Sequence, residues 1–394
     1  MCGSCITRCL TFGQIAPEFF GIHINNLNNP WPNTVGIEFS NYRTLASGAT
    51  LWSQLNPSPG VYDWKWLDIA LGQSEQHGSQ VDFDFYFTPS WASSNRSGSC
   101  VMGDNGGCYP PNDLNSDGTG TDQHVKDFIT ALMDRVGAGR LKYIEIWNEF
   151  NISLEWHGTI GQLVRITKDV STVAKSFDAN IRIIGPSATG DCGGKYIDVI
   201  SLHGHIKDPE KIIVRTNSAL AQMAKYGQGG KPIFDTEASW PLNWPVNTGI
   251  AADLQPGYLF REYLATLSTP TQVMYVYAYD IAKTAHYWST SLQKVTTNGN
   301  AYALFYTWLV GSTVTNKCQP QVSGSSTWSC TFEMRDGTKA MAMWNTAVTY
   351  PNTVSTTVPS VFKKYFTLNG GSHLVGQAAP SVQRTSLGCR DSAE

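Results

Sequence analysis

Short runs of apolar residues alternate with longer amphipathic runs along most of the chain. FFGIHI (19–24), TVGIEF (34–39), QVDFDFYF (80–87), LKYIEIW (141–147), IRIIGPS (181–187), YIDVISLHG (196–204), KPIFDTE (231–237) and TQVMYVYAY (271–279) predict eight strands. Helical periodicity follows over about 64–77, 123–136, 160–177, 209–225, 258–266 and 298–310; in 123–136 Val125, Phe128, Ile129 and Leu132 share one side. Strands joined mostly by helices predict a parallel sheet. An open doubly wound sheet would want a glycine-rich phosphate loop after the first strand, and none is present. The expected fold is therefore α/β, a (β/α)8 TIM barrel.

Beyond residue 311 the pattern changes. Ser, Thr and Val dominate, helical periodicity stops, and STWSCTFEM, KAMAMWN and FKKYFTL read as strands. The expected organisation is an N-terminal segment (1–18) that packs on the β domain, a catalytic barrel (19–310) and a small C-terminal β-sandwich domain (311–394). A Ser-, Asn-, Gly- and Asp-rich loop spans 88–121.

Composition narrows the function classes. Net charge is −3, and no run of Lys and Arg offers a surface to a polyanion, so nucleic acid is not an expected partner. No stretch of about 18 apolar residues predicts a membrane span. Residues 1–13 lack a basic stretch followed by an apolar core and a cleavage site, so the sequence as read carries no export leader. Six tryptophans (Trp31, Trp91, Trp156, Trp240, Trp244 and Trp288) stand in polar, loop-like contexts, where an aromatic face suits a sugar ring as well as a core.

Cysteine usage points to an oxidising compartment. Cys100 and Cys108 flank a Gly/Asn-rich turn, and Cys318 and Cys330 flank a Ser/Gly-rich hairpin; both predict short-loop disulfides and hence a secreted or extracytoplasmic protein. Cys2, Cys5 and Cys9 lack a fourth ligand nearby for an iron–sulfur cluster. They read instead as a ragged terminus, one of them open to pairing with Cys192 or Cys389.

In such a barrel, catalytic groups sit at the C-terminal ends of the strands. The fourth strand runs out in Trp147-Asn148-Glu149 and the seventh in Asp235-Thr236-Glu237. Two carboxylates directed at one mouth are what glycoside hydrolysis requires: one protonates the leaving oxygen, the other attacks or activates water. Asn148 can bond a sugar 2-hydroxyl. Glu145, inside the strand, reads as a salt-bridged structural residue. His23, His203 and His205 at strand ends suit substrate hydrogen bonding or support of a nucleophile. A His-cluster metal site would want its H-x-H on the first strand, not the sixth, so no metal or other cofactor is expected. Tyr279, with Trp288 beyond it, is expected in the floor of the site, and so is Tyr277.

IEIWNEFN (144–151) and PIFDTEASW (232–240) resemble glycoside hydrolase clan A over roughly 17–310. Arg43, Trp52, GVYDWKWLD (60–68), TPSWAS (88–93), the GPS after the fifth strand and the HGH after the sixth look most like family 39. The resemblance implies a retaining double displacement, with Glu149 as acid/base and Glu237 as nucleophile, and Arg43 hydrogen-bonded to that nucleophile. Asn148, Arg43, His23, Trp91, His203, His205, Trp156, Trp240, Tyr279 and Trp288 are the candidate substrate-binding set. The chain departs from the β-xylosidase pattern around the second strand, where Asn25, Asn26 and Asn28 stand in place of acidic residues. The expected function is an O-glycoside hydrolase, with a β-linked plant or microbial polysaccharide or oligosaccharide as substrate. A non-catalytic carbohydrate-binding barrel is the alternative, although it would have no need of a matched carboxylate pair; a metal-dependent barrel hydrolase is a third reading.

Overall fold

A computed structural model describes residues 13–101, 105–186, 194–238, 250–252 and 254–347, together with 354–355, 361–362, 364–366, 372–374, 381–382 and 387–390. Trp240, Trp244, Cys2, Cys5, Cys9 and Cys192 lie outside the described residues.

The described chain divides into two compact units. One comprises Glu18–Ala251 and Thr269–Asn300; the other comprises Met1–Pro17, Ala252–Ser268 and Ala301–Glu394. The first holds eight parallel strands: β1 (Phe20–His23), β2 (Asn41–Arg43), β3 (Gln80–Phe85), β4 (Tyr143–Ile146), β5 (Arg182–Ile184), β6 (Ile200–His203), β7 (Ile233–Ala238) and β8 (Thr271–Val276). β1 to β5 pair in sequence order, as do β6 to β8, and β8 pairs with β1. Between β5 and β6 a parallel bridge from Ile184 to Val199 brings the ring close to closure. The result is a TIM-type barrel. Tyr143, Ile184, Val199, Phe234, Val273 and Tyr275 form one of its buried clusters.

The second strand differs from expectation. Residues 34–39 are not a strand: Pro32–Val35 forms a 3-10 turn with proline at its start, and Gly36 ends it at φ 80°. The strand proper is the three-residue Asn41–Arg43, in register with Gly21, Ile22 and His23. This shift places Arg43 level with the end of β1.

Helices follow β3, β4 and β6 where periodicity puts them: Gln123–Val136, Ile160–Phe177 and Lys211–Lys225. The start of Ile160–Phe177 is set by a reciprocal cap. Thr159 Oγ1 accepts from the Gln162 amide at 3.2 Å, while Gln162 Oε1 accepts from the Thr159 amide at 2.9 Å.

In the second unit, Gln14 bridges Thr313. Thr313–Pro320, Thr327–Glu333, Lys339–Asn345, Leu387–Arg390, Lys364–Phe366 and Ser372–Leu374 form one antiparallel sheet in that spatial order. Val354–Ser355 and Ser381–Val382 form a second, two-stranded sheet. Cys318 and Cys330 are joined by a disulfide here, and Cys100 and Cys108 in the barrel unit. Cys389 lies on the Leu387–Arg390 strand. Among the described residues no helix is long and apolar enough to cross a membrane.

Candidate active site

Four strand ends converge on Glu237. Arg43 ends β2 with its side chain wholly buried, and its guanidinium is divided among several acceptors. Nε donates to Glu145 at 2.6 Å, Nη2 to Asp84 at 2.7 Å and to Asn148 Oδ1 at 3.0 Å, and Nη1 faces Glu237 Oε2 at 3.3 Å. A fully buried guanidinium is tolerated only when its donors are matched in this way. Glu145 is further held by Ser201 at 3.0 Å and Thr236 at 2.8 Å, so it is a structural anchor for Arg43.

The register of β6 against β7 sets His203 opposite Glu237. His203 Nδ1 lies 2.9 Å from Glu149 Oε1 and 3.3 Å from Glu237 Oε2, and His205 Nε2 lies 3.6 Å from Glu237 Oε1. Gly204 between them is required by space: a Cβ there would lie 2.2 Å from Asp235 Oδ2, and its amide donates to Asp235 Oδ1 at 2.9 Å. Burial would by itself raise the Glu237 carboxyl. His203, the hydrogen bond from His205, and Arg43 outweigh it and hold the group well below the ordinary carboxylate range. Burial pushes Asp235 up to about 6, against the pull of His203 and His205.

Glu149 sits three residues beyond the end of β4, on backbone of unusual conformation. Trp147 has φ 62° and Glu149 φ 36°, in the left-handed region that side chains rarely adopt. Packing holds them there. The Trp147 ring is buried against Tyr86 and Trp156, and its Nε1 donates to Glu155 O at 2.8 Å. Ile152 N closes back on Glu149 O at 2.8 Å. Asn148 offers Oδ1 to Arg43, which directs its amide NH2 away from the guanidinium as a donor.

The remaining candidates fall into two groups. Tyr277 stands edge-on to His23 at 4.7 Å and to His205 at 6.3 Å, within the site. Trp91 is half-buried on the long loop, its Nε1 donating to Asn56 O at 2.8 Å. His23, Trp156, Tyr279 and Trp288 are buried. His23 is held by Leu45 O at 2.6 Å, and burial, then Arg43, lower its pKa to about 3, so it is neutral. Tyr279 donates to Pro30 O at 3.0 Å and stacks on Trp288.

Asp84 and Glu155 belong to the site's surroundings and are absent from the candidate set drawn from sequence. Asp84 was signalled by the alternation in QVDFDFYF, because a charged position repeated in a strand buried on both faces has to find a partner inside. Glu155 has no such signal. It is buried on the segment after Glu149, and burial, then the charge of Glu237, push it up to about 8 against the pull of Arg43.

No protein-family model matches the chain, and no curated protein matches its sequence. Solved structures do share the fold. The GH39 enzyme from Xanthomonas axonopodis pv. citri is 13% identical with a TM-score of 0.66, over 96% of this chain and 95% of that one. A monomeric beta-xylosidase from Caulobacter crescentus CB15 is 12% identical at TM-score 0.65, covering 96% and 97%. The GH51 arabinofuranosidase from Xanthomonas axonopodis pv. citri is 12% identical at 0.59, covering 97% of each. The fold is thus one used by glycoside hydrolases of more than one family.

Proposed function

We propose that the protein is a retaining O-glycoside hydrolase in which Glu237 is the nucleophile and Glu149 the acid/base. The observation that carries this reading is the shared contact of both carboxylates with His203 Nδ1, at 2.9 and 3.3 Å. The two oxygens concerned can be no farther apart than the sum of those distances. That bound accommodates the roughly 5–5.5 Å between the carboxyl groups of a retaining pair.

The chemistry follows from the two environments. Glu237 is kept ionised by Arg43, His203 and His205 and attacks the anomeric carbon as a carboxylate. Glu149, more open to solvent, protonates the departing glycosidic oxygen and then takes a proton from the water that releases the glycosyl-enzyme. The Asn148 amide donates to the 2-hydroxyl, a contact that tightens as the oxocarbenium character develops. Trp91, half-buried on the loop that follows β3, is a candidate aromatic face for a sugar ring. The names of the structural neighbours, a beta-xylosidase among them, suggest a β-linked glycoside as the substrate class. The two disulfides support action outside the reducing cytoplasm.

A panel of aryl β-glycosides and β-linked polysaccharides, with proton NMR of the first-formed anomer, tests the reading. Hydrolysis with a β-anomer appearing first is expected. Sugar binding without hydrolysis on any member of the panel would favour a carbohydrate-binding barrel instead.

A further inference from the structure

The residues that flank the reaction centre have a second chemical capacity. Glu149, His203 and His205 each offer one ligand atom, and these atoms all lie within 4.8 Å of one another. Glu237 adjoins both histidines, its Oε2 3.3 Å from His203 Nδ1 and its Oε1 3.6 Å from His205 Nε2. The two imidazole rings stand nearly perpendicular, at 80°, with centroids 5.9 Å apart.

We propose that this cluster is a binding site for a zinc-like divalent transition cation, and that the bound cation inhibits the enzyme. A tetrahedral zinc with bonds of about 2.0–2.1 Å sets its ligand atoms about 3.3 Å apart. His203 Nδ1 lies 2.9 Å from Glu149 Oε1, and the ligand atoms of Glu149, His203 and His205 stay within 4.8 Å of one another, so small side-chain rotations would bring them to that spacing. Two imidazole nitrogens with carboxylate oxygen are a donor set that suits zinc. The same set is poor for calcium, which takes six to eight oxygens, and for magnesium, which keeps its waters. The rigid frame favours capture: His203 is buried at the end of β6, and Gly204 is tied to Asp235 and to Glu237 O.

Binding of the cation is independent of the proposed function, whereas inhibition rests on it. A cation on Glu149 takes the lone pair that the acid/base needs for its proton, and beside Glu237 it neutralises the attacking carboxylate. The cation would thus compete with substrate for the centre rather than take part in hydrolysis.

The test measures binding and activity separately on the full chain. Isothermal titration with zinc chloride reads binding without substrate; hydrolysis of an aryl glycoside with and without zinc, then with a chelator, reads inhibition. Cobalt(II) titration adds a visible spectrum that reports tetrahedral coordination. The expected results are one strong zinc site per chain, tetrahedral cobalt bands, and inhibition that a chelator reverses and that calcium and magnesium do not reproduce. His205→Ala and His203→Ala should each weaken zinc by more than the roughly tenfold loss that even an outer-shell partner produces. His77→Ala, far along the chain on the helix Lys65–His77, should bind zinc as the native protein does. Circular dichroism and cobalt spectra of the same samples separate lost ligands from lost fold.

Hydrolysis without saturable zinc binding would overturn this proposal and leave the proposed function standing. Undiminished zinc affinity in both folded histidine variants would also overturn it. Activation by zinc, with activity lost on chelation, would overturn the inhibitory role and return the metal-dependent reading. Zinc bound at this site in a protein that hydrolyses no glycoside would support the site and sink the glycosidase reading.

Discussion

Nη1 of Arg43 lies 3.3 Å from Oε2 of Glu237, and the rest of the guanidinium is anchored on Glu145 and Asp84. With His203 and His205, this cation lowers the proton affinity of Glu237. In its proposed role as nucleophile Glu237 must be ionised, so activity falls as pH drops through its pKa. The acid limb of kcat/KM should therefore lie well below the ordinary glutamate value of about 4.3. Arg43→Met should move that limb upward and cost about 3–5 kcal/mol of stability, because Glu145 and Asp84 lose their buried partner. Arg43→Lys keeps the charge but cannot reach several acceptors at once, so activity should fall in that variant too. An acid limb unmoved in a folded Arg43→Met protein would remove Arg43 from the control of Glu237.

Glu155 supplies a separate pH dependence. Its folded pKa is raised from 4.5 to about 8, so the folded protein holds this proton more tightly than the unfolded chain does. Its stabilising contribution is full below about pH 4.5 and is lost as pH rises through 8. Glu155→Gln cannot ionise. Urea unfolding at pH 5 and at pH 8 should show the variant gaining on the native protein by a few kcal/mol at the higher pH. Parallel curves at both pH values would contradict this.

The Cys100–Cys108 loop is fastened to the segment that follows Glu149. Val101 N donates to Leu154 O at 3.0 Å, and His157 N donates to Cys108 O at 2.7 Å. Closing so short a loop contributes about 2–3 kcal/mol. The double variant Cys100→Ser, Cys108→Ser should lower Tm, speed amide exchange over residues 154–157 and reduce kcat. Exchange over 154–157 equal to that of the native protein would show that the disulfide does not brace this segment.

Gly204→Ala tests how tightly the β6–β7 edge is packed. The new methyl would meet the Asp235 carboxylate, displacing it or the two flanking histidines. Activity should fall at least about tenfold, since small displacements of catalytic groups are costly, while far-ultraviolet dichroism stays native. Native activity would mean that Asp235 yields without disturbing His203 and His205.

The parts of this arrangement that were legible in the sequence are those with a repeating signal. Strand–helix alternation predicted the barrel, and the carboxylates at the ends of β4 and β7 stood out because catalytic groups collect there. The second strand was misplaced because TVGIEF has the composition of a strand, whereas Asn41–Arg43 is too short to show alternation. Pro32 and Gly36 bound a 3-10 turn, Pro32–Val35, that takes up the first two residues of the former. The fan of acceptors around Arg43 was only half visible: Glu145 could be read as paired, but its partner depends on three strands meeting in register. The left-handed backbone at Trp147 and Glu149 could not be read, because neither residue type favours it and tertiary packing imposes it.

The assignment of nucleophile and acid/base is tested most directly by azide rescue of Glu149→Ala and Glu237→Ala on an activated aryl β-glycoside. An acidic phenol leaves without protonation, so Glu149→Ala should still form the glycosyl-enzyme and stall there for want of a general base. Azide needs no such base. It should restore turnover of Glu149→Ala and give the β-glycosyl azide, the configuration of the substrate. Glu237→Ala should be inactive without azide, and any rescue it shows should give the inverted α-glycosyl azide. Rescue of Glu237→Ala with a β-azide product, together with an α-azide product from Glu149→Ala, would reverse the two roles and contradict the account.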